Sequence, residues 1–518
     1  MQDGDSLTPG FMVVHGNQME QLRDVLVQWT RMHPLRPLEQ EVVLVQSNGM
    51  AQWLRQALAA DSGLGIAASL QVSLPARFIW QAYRAVLKED AIADSSPLDK
   101  DNLVWRLMRL LPELLVRPRF VPLRGFLGND RQLRKQYQLC QRIADILDQY
   151  QVYRADWLAD WAQGNDRIGE GGQLLQLEEG QQAAGMQVRL QTLAWQAELW
   201  RELLDDIGAQ ALAGSRASVH PRFIAALQRL EQRPAGLPRR VIVFGISSLP
   251  AQTLEALAAM ARFSQVILCV HNPCRYYWGD IVADRDLLRP TLVRHQRRAS
   301  MPAELDEQDL HQHAHPLLAA WGKQGRDYIA LLQEHDNRDS YEAHFAEHKQ
   351  QIDLFHEEET DSLLRQLQSD ILNLEPLQDS REHWKNTPVD PARDESIRFH
   401  SAHSPQREVE ILHDQLLDRF ARYPQLQPRD VIVMVPDIDR YAPHIQAVFG
   451  QFERDDPRFL PFAVSDQGRR GQEPLLIALE LLLQLPELRM TRNHMLALLD
   501  VPALRNRFGV HNTTTFCF

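Results

Sequence analysis

Cysteine is scarce in this chain, a phosphate-binding glycine loop is absent, and no apolar run reaches the roughly 18 residues that a membrane helix needs. Each absence removes a class of protein. Cys140, Cys269, Cys274 and Cys517 are the only cysteines and stand in no metal-ligand spacing, which argues against a zinc ribbon or a disulfide-stapled secreted domain and suits a reducing cytosol. The first ten residues, MQDGDSLTPG, are polar and turn-rich with no apolar core, so the expectation is no secretory signal, no membrane association and a cytoplasmic location. A formal net charge of −12 and a pI of about 5.9 argue against a basic coat for nucleic acid. A basic channel in an acidic body remains open, because electrostatic footprints are local.

What is present fits a large α/β protein. The chain has 518 residues, 44% hydrophobic and 24% charged, enough for three or four domains at about 100–200 residues each. Continuous β-branched runs at Phe11–Val14, Val42–Gln46, Val241–Gly245, Val266–His271, Ile397–Ser401 and Val431–Val435 read as strands buried on both faces of a parallel sheet. Helical periodicity follows most of them, giving βα units. Residues 81–238 contain no clear strand and read as a helical insertion into a first α/β domain made of 1–80 and 239–373. Residues 374–395 are polar and proline-containing and read as a linker, and 396–518 as the start of a second α/β domain with its own helical insertion. The final HNTTTFCF has no cap and no periodic face, and only two strands precede it in the second domain; the expectation is a truncated or frame-shifted carboxyl end.

The first strand runs into a turn and a helix, the place where a nucleotide-binding enzyme carries G-x-x-x-x-G-K-S/T. Here the turn is His15-Gly16-Asn17, with one glycine and neither lysine nor a following hydroxyl to reach phosphates and magnesium. Val241–Gly245 is where an acidic pair would close such a site, and it ends in Gly245-Ile246. Gly322-Lys-Gln-Gly-Arg-Asp327 has no preceding strand and no hydroxyl after Lys323. Glu347-His-Lys349 imitates a magnesium-nuclease motif without a paired strand aspartate, and His311, His313 and His315 alternate as in a solvated loop rather than a closed metal site. No nucleophile, base and oxyanion set assembles, so no catalytic residue, metal or cofactor is expected.

Several segments suit nucleic acid, each with a plainer structural reading. Gln46, Asn48 and Gln52, after the second strand, carry amides able to hydrogen-bond base edges at the carboxyl end of a parallel sheet; the same amides are ordinary in turns. Asp145, Asp148 and Gln149 share one helix face by i, i+3, i+4 spacing, either an acceptor surface for base amines or a solvated face with Ile146 and Leu147 turned inward. Arg275, Tyr276, Tyr277 and Trp278 suit base stacking and core packing equally. Arg294, Arg297 and Arg298 read as a charged loop, and Arg407, in SPQREVE, as structural.

The strings VVLVQSNGMAQWL, DQYQVYRADWLADW, NPCRYYWGDI, PLLAAWGKQGRDYI, HSPQREVEILHDQLL and VIVMVPDIDRYAPHIQAVFG, in this order from about Phe11 to about Val510, resemble the amino-terminal half of the RecC family, gamma subunits of bacterial exodeoxyribonuclease V (RecBCD). The resemblance implies superfamily-one helicase-like parallel-sheet domains without ATPase motifs. It further implies a noncatalytic DNA-binding subunit for double-strand break repair by homologous recombination. RecB and RecD would be its partners, and single- and double-stranded DNA its ligands. Its defunct helicase channel would guide the 3′-ended strand and recognise the Chi octamer. An active helicase or nuclease subunit, and a pure protein-interaction scaffold, are the alternatives.

Channel-lining positions of the family fall on Gln46, Asn48 and Gln52 in VQSNGMAQ, on Leu74 and Trp80 in LPARFIW, on Asp145, Ile146, Asp148, Gln149 and Arg154 in ADILDQYQVYR, and on Arg216 in SRASVHPRF. Asn48 stands where the resembled motif has threonine and Ile146 where it has leucine, so the octamer read is open to change.

Overall fold

The computed structural model describes residues 7–60, 65–87, 96–128, 133–166, 184–208, 216–279, 315–347, 351–465, 473–486 and 489–509. Two compact units divide the chain, Met1–Gln46 with Met50–Ser396, and Ile397–Phe518 with the short Ser47–Gly49 segment.

A strand covered on both faces needs apolar side chains at successive positions, and the runs FMVV, VVL, VIVF and VILCV supply them. They form β1 (Gly10–Gly16), β2 (Glu41–Leu44), β4 (Arg240–Phe244) and β5 (Gln265–His271), while β3 (Leu70–Ser73) and β6 (Asp353–Leu354) complete a sheet of order β3-β2-β4-β5-β1-β6. Every pairing is parallel, with Met12 opposite Ile267 and Val43 opposite Ile242. The edge strands β3 and β6 are short and only half-buried, which is why their sequences carry no strong strand signal.

Helices follow as α1 (Met19–Met32), α2 (Asn48–Ala59), α3 (Pro75–Leu87), α4 (Lys100–Leu114), α5 (Val121–Leu127), α6 (Arg134–Tyr153), α7 (Ala155–Ala162), α8 (Ala184–Ile207), α9 (Arg216–Arg229) and α10 (Ala251–Met260). After the undescribed residues 280–314 come α11 (Pro316–Trp321), α12 (Lys323–His335), α13 (Glu342–Glu347), α14 (Leu363–Leu372) and α15 (Leu377–His383).

Strand alternation sends side chains to two separate cores. Val13, Leu44, Val241, Val243 and Leu268 meet α3, α9, α10 and α12 on one face. Met12, Val14, Val43, Phe244 and Ile267 meet α1, α2 and Phe345 on the other. The first unit is therefore a three-layer α/β/α sandwich. Helices α4 to α8 bury a core of their own, seeded by the Leu103, Val104, Leu107, Leu111 and Leu114 stripe of α4 against Cys140, Ile143, Ala144 and Leu147 of α6. Ion pairs edge this bundle: Arg117 reaches Glu198 at 3.0 Å and Glu202 at 2.6 Å, and Arg119 and Arg201 both reach Asp166 at 2.7 Å. Within 374–395, Leu374 is fully buried, and Asp370 accepts hydrogen bonds from Ser380 Oγ (2.6 Å) and Trp384 Nε1 (2.9 Å).

The second unit contains α16 (Pro405–Arg422), α17 (Ile438–Phe449), α18 (Pro474–Gln484), α19 (Arg492–Leu499) and α20 (Pro502–Phe508). Its small core is Val409, Val448, Phe449 and Leu460. Two sequence expectations fail here. Ile397–Ser401 and Val431–Val435 lie outside any ladder, and no strand occurs among the described residues of this unit. A strand is stabilised by its neighbours rather than by its own propensity. These runs face solvent instead, with Phe399 94%, Ile432 76% and Met434 89% exposed. The tail HNTTTFCF lies outside the described residues. Among those described, no helix is long and apolar enough to cross a membrane.

Candidate nucleic-acid interface

All six strands are parallel, so the segments after them gather at one edge of the sheet, where α/β folds bind ligands. On β1 this edge is closed. Only Asn17 and Gln18 separate β1 from α1. Asn17 Nδ2 donates to the His356 carbonyl at 2.8 Å and its Oδ1 accepts the His356 N–H at 2.9 Å. The backbone N–H groups of His15 and Asn17 donate to Ile352 and Leu354, and Gln18 Nε2 donates to Glu358 at 2.7 Å. A Cβ on Gly16 would stand 3.1 Å from the Leu354 carbonyl oxygen. Two backbone donors and both side-chain amides at this turn are thus taken by residues 352–358 of the same chain.

The end of β4 is closed as well. Gly245 has φ +63, and a Cβ there would come 2.5 Å from Met19 Cε. A left-handed backbone against a neighbouring side chain favours glycine and opposes an acidic residue.

Beside these closed ends, β2 keeps its polar side chains in the open. Gln46, Asn48 and Gln52 are exposed. Asn48 and Gln52 lie one turn apart at the start of α2. Ser247, in the segment after β4, donates to Gln46 Oε1 at 3.3 Å, and the Val45 N–H donates to Ser73 at 3.1 Å, bringing Leu74 (44% exposed) to the same edge. Trp80, six residues further on in α3, is half-buried against the sheet core and edge-on to Tyr83 at 6.1 Å, so only part of its face is open.

The remaining residues of the predicted set lie on α6. Its buried face carries Gln136, Cys140, Ile143, Ala144, Leu147 and Gln151, a heptad-like stripe that leaves Gln149 exposed and Asp145, Ile146 and Asp148 half-buried. Asp145 accepts from Lys100 Nζ at 2.8 Å and from Arg142 Nη1 at 3.1 Å, and the Lys100 bond holds its carboxyl below the usual carboxylate range. Arg154 lies 3.8 Å above the Trp157 ring and pairs with Asp156 at 2.9 Å, so its guanidinium plane is fixed at the end of α6. Arg216 opens α9, and its side chain lies outside the described residues.

Other sequence candidates resolve as structure. Tyr277 and Trp278 are buried in the sheet core, Trp278 Nε1 donating to Asn272 Oδ1 at 2.9 Å, while Arg275 pairs with Glu357 at 2.5 Å. His315 is buried rather than solvated: its Nδ1 caps α11 by accepting the Leu317 N–H at 3.2 Å, and burial lowers its pKa. Arg407 pairs with Glu410 on its own helix at 2.9 Å. Arg294, Arg297, Arg298, His311, His313 and Lys349 lie outside the described residues, among which no cluster of histidine, cysteine and acidic side chains suited to a metal occurs. Lys100, Arg142 and Ser247 were not legible as site neighbours: Lys100 is 45 and Ser247 is 201 residues from its partner, and Arg142 reads as an ordinary helix charge.

Known proteins align with this chain over nearly its whole length. Residues 11–374 match a family model described as RecC, N-terminal domain, and residues 472–515 one described as RecBCD enzyme subunit RecC fourth domain. The RecBCD enzyme subunit RecC of Escherichia coli K12 is 42% identical over 96% of this chain and 43% of its own length. That of Haemophilus influenzae is 38% identical over 96% of this chain and 44% of its own length, and that of Mycolicibacterium smegmatis 28% identical over 91% and 38%. The chain spans less than half the length of these relatives.

Proposed function

The chain belongs to the RecC family, and on that premise we propose that it supplies the noncatalytic, helicase-like part of a DNA-binding subunit, guiding a 3′-ended single strand and reading Chi beside RecB and RecD partners in double-strand break repair. The observation that carries this reading is the unequal carboxyl edge of the sheet: closed at β1 and β4, where a nucleotide and its metal would bind, and open at β2, where amides face solvent.

The chemistry follows from the residue types. Gln46, Asn48 and Gln52 each offer a donor and an acceptor in one plane, the pattern that pairs bidentately with adenine. Asp148 accepts from exocyclic base amines, Gln149 adds a second amide, and Ile146 gives an apolar contact. Arg154, over the Trp157 ring and donating from Nε and Nη2 to Asp156, is oriented by those contacts, and guanine is the base that an arginine suits. The remaining face of Trp80 and the side chain of Leu74 offer stacking and apolar contact. Single strands suit such a surface because their base edges are unpaired. Every named group binds and orients, and none breaks a bond.

The test is Gln46→Ala and Asp148→Ala, each placed in a complete RecBCD complex containing this chain's sequence. Unwinding should persist while the response to Chi is lost or redirected. Loss of unwinding in parallel with the Chi response would assign both residues to the scaffold and refute the reading.

A further inference from the structure

One face of the helical bundle offers more than the predicted residues. On α6, Tyr137, Gln141, Asp145 and Asp148 follow i, i+4, i+8, i+11 spacing and form one stripe about 16 Å long at 1.5 Å per residue. Antiparallel α4 runs beside it: Lys100 meets Asp145, Trp105 meets Tyr137, and Gln136 donates to the Met108 carbonyl at 3.0 Å. Trp105 is 67% exposed, with its ring centroid 5.8 Å from that of Tyr137, whose hydroxyl accepts from Gln141 Nε2 at 3.1 Å. The indole lies mostly in water, on the opposite side of the helix from Leu103, Val104 and Leu107, which fill the bundle core. Beside Asp145 stand two cations, Lys100 and Arg142, with side chains 49% and 72% exposed. Arg109, one turn beyond Trp105, is 65% exposed and tied to Asp206.

We propose that the Trp105–Tyr137 pair, with Lys100 and Arg142, extends the single-strand surface beyond Asp145, bases stacking on Trp105 and phosphates meeting the two cations. The inference rests on the reading of α6 as a strand-contacting helix and adds residues which that reading does not include. Aromatic faces flanked by cations are what sequence-tolerant binding of single strands uses. The arrangement also gives Asp145 a second role: its ion pairs orient Lys100 and Arg142 toward the stripe. A partner protein would reach the same indole by apolar packing, but the two exposed cations that meet at Asp145 favour a phosphate backbone.

The experiment uses the purified full chain and a fluorescein-labelled single-stranded oligonucleotide of mixed sequence containing all four bases, read by anisotropy over a range of salt. Trp105→Ala should weaken binding about 5- to 150-fold, the effect of removing one stacked base, and Trp105→Phe should restore most of it. Lys100→Ala with Arg142→Ala should lower the slope of log K against log salt by about 0.7 for each phosphate that the variant no longer neutralises. Circular dichroism separates a missing stacking face from a failure to fold, and Trp105→Phe carries the test should the alanine variant unfold. Unchanged affinity in Trp105→Ala, with binding still weakened by Gln46→Ala or Asp148→Ala, overturns this inference alone. No binding by the unmodified chain overturns it together with the reading on which it rests. Unchanged oligonucleotide affinity with failed assembly into the complex would assign Trp105 to a protein interface and overturn it too.

Discussion

At the scale of single residues, the boldest commitment of this chain is a guanidinium with no access to solvent. Arg240, 0% exposed at the start of β4, donates from Nε to Gln265 Oε1 at 2.9 Å, from Nη1 to Glu41 Oε1 at 2.7 Å and from Nη2 to the His33 carbonyl. Trp29 Nε1 donates to the same Gln265 oxygen at 2.9 Å, so one network ties α1, β2, β4 and β5 together. Burial raises the pKa of Glu41 and lowers that of Arg240, which means that desolvation outweighs mutual attraction for both partners. Such a pair adds little net stability, yet is costly to halve. Arg240→Met should therefore destabilise the protein by about 3–5 kcal/mol, and adding Glu41→Gln should recover part of that loss. Urea denaturation followed by tryptophan fluorescence measures both, and an unshifted midpoint for Arg240→Met would refute the argument. The thiols show the same force at work: burial pushes Cys140, Cys269 and Cys274 up to about 12, which leaves them inert as nucleophiles and agrees with their lack of any ligand spacing.

At the scale of elements, the β1–α1 turn decides what the sheet can do. A phosphate loop works by leaving several backbone N–H groups unspent and adding a lysine. This turn has two residues, and its neighbours donate to residues 352–358. The purified chain should show neither saturable ATP binding by calorimetry nor phosphate release; turnover abolished by changes at residues 15 to 18 would contradict this. The missing lysine and acidic pair were plain in the sequence, because a motif is local. The plug that replaces them was not, because Asn17 and His356 are 339 positions apart. The face of α6 was legible for a similar reason: i, i+3, i+4 spacing is a property of one helix. That Asp145 is already paired with Lys100 depends on how α4 lies against α6, and no local pattern carries that. Trp278 illustrates a third case, where the aromatic cluster was visible but only packing against Asn272 and Gly325 decided that it belongs to the core.

At the scale of the whole molecule, four strands of the first unit could be read directly, since strands buried on both faces are continuous apolar runs. β3 and β6 escaped because an edge strand borrows its stability from its neighbour. The reverse error occurred in the second unit, where Ile397–Ser401 and Val431–Val435 have strand composition without a ladder. Hydrogen exchange distinguishes the two situations. Amides of 431–434 should exchange with little protection, while those of Val241–Phe244 exchange only on global opening. Comparable protection in the two segments would mean that the second unit holds a sheet after all.

The reciprocal bonds between Asn17 and His356 also set a timetable for synthesis. A ribosome adding about 5–20 residues per second needs roughly 17–70 s to travel between those two asparagine and histidine codons. For that interval the Asn17 amide lacks its partner, and β1 waits even for its neighbour β5. The nascent chain thus passes through a stage in which this turn is exposed to whatever anions or chaperones surround it, and its closure must wait for the synthesis of residue 356.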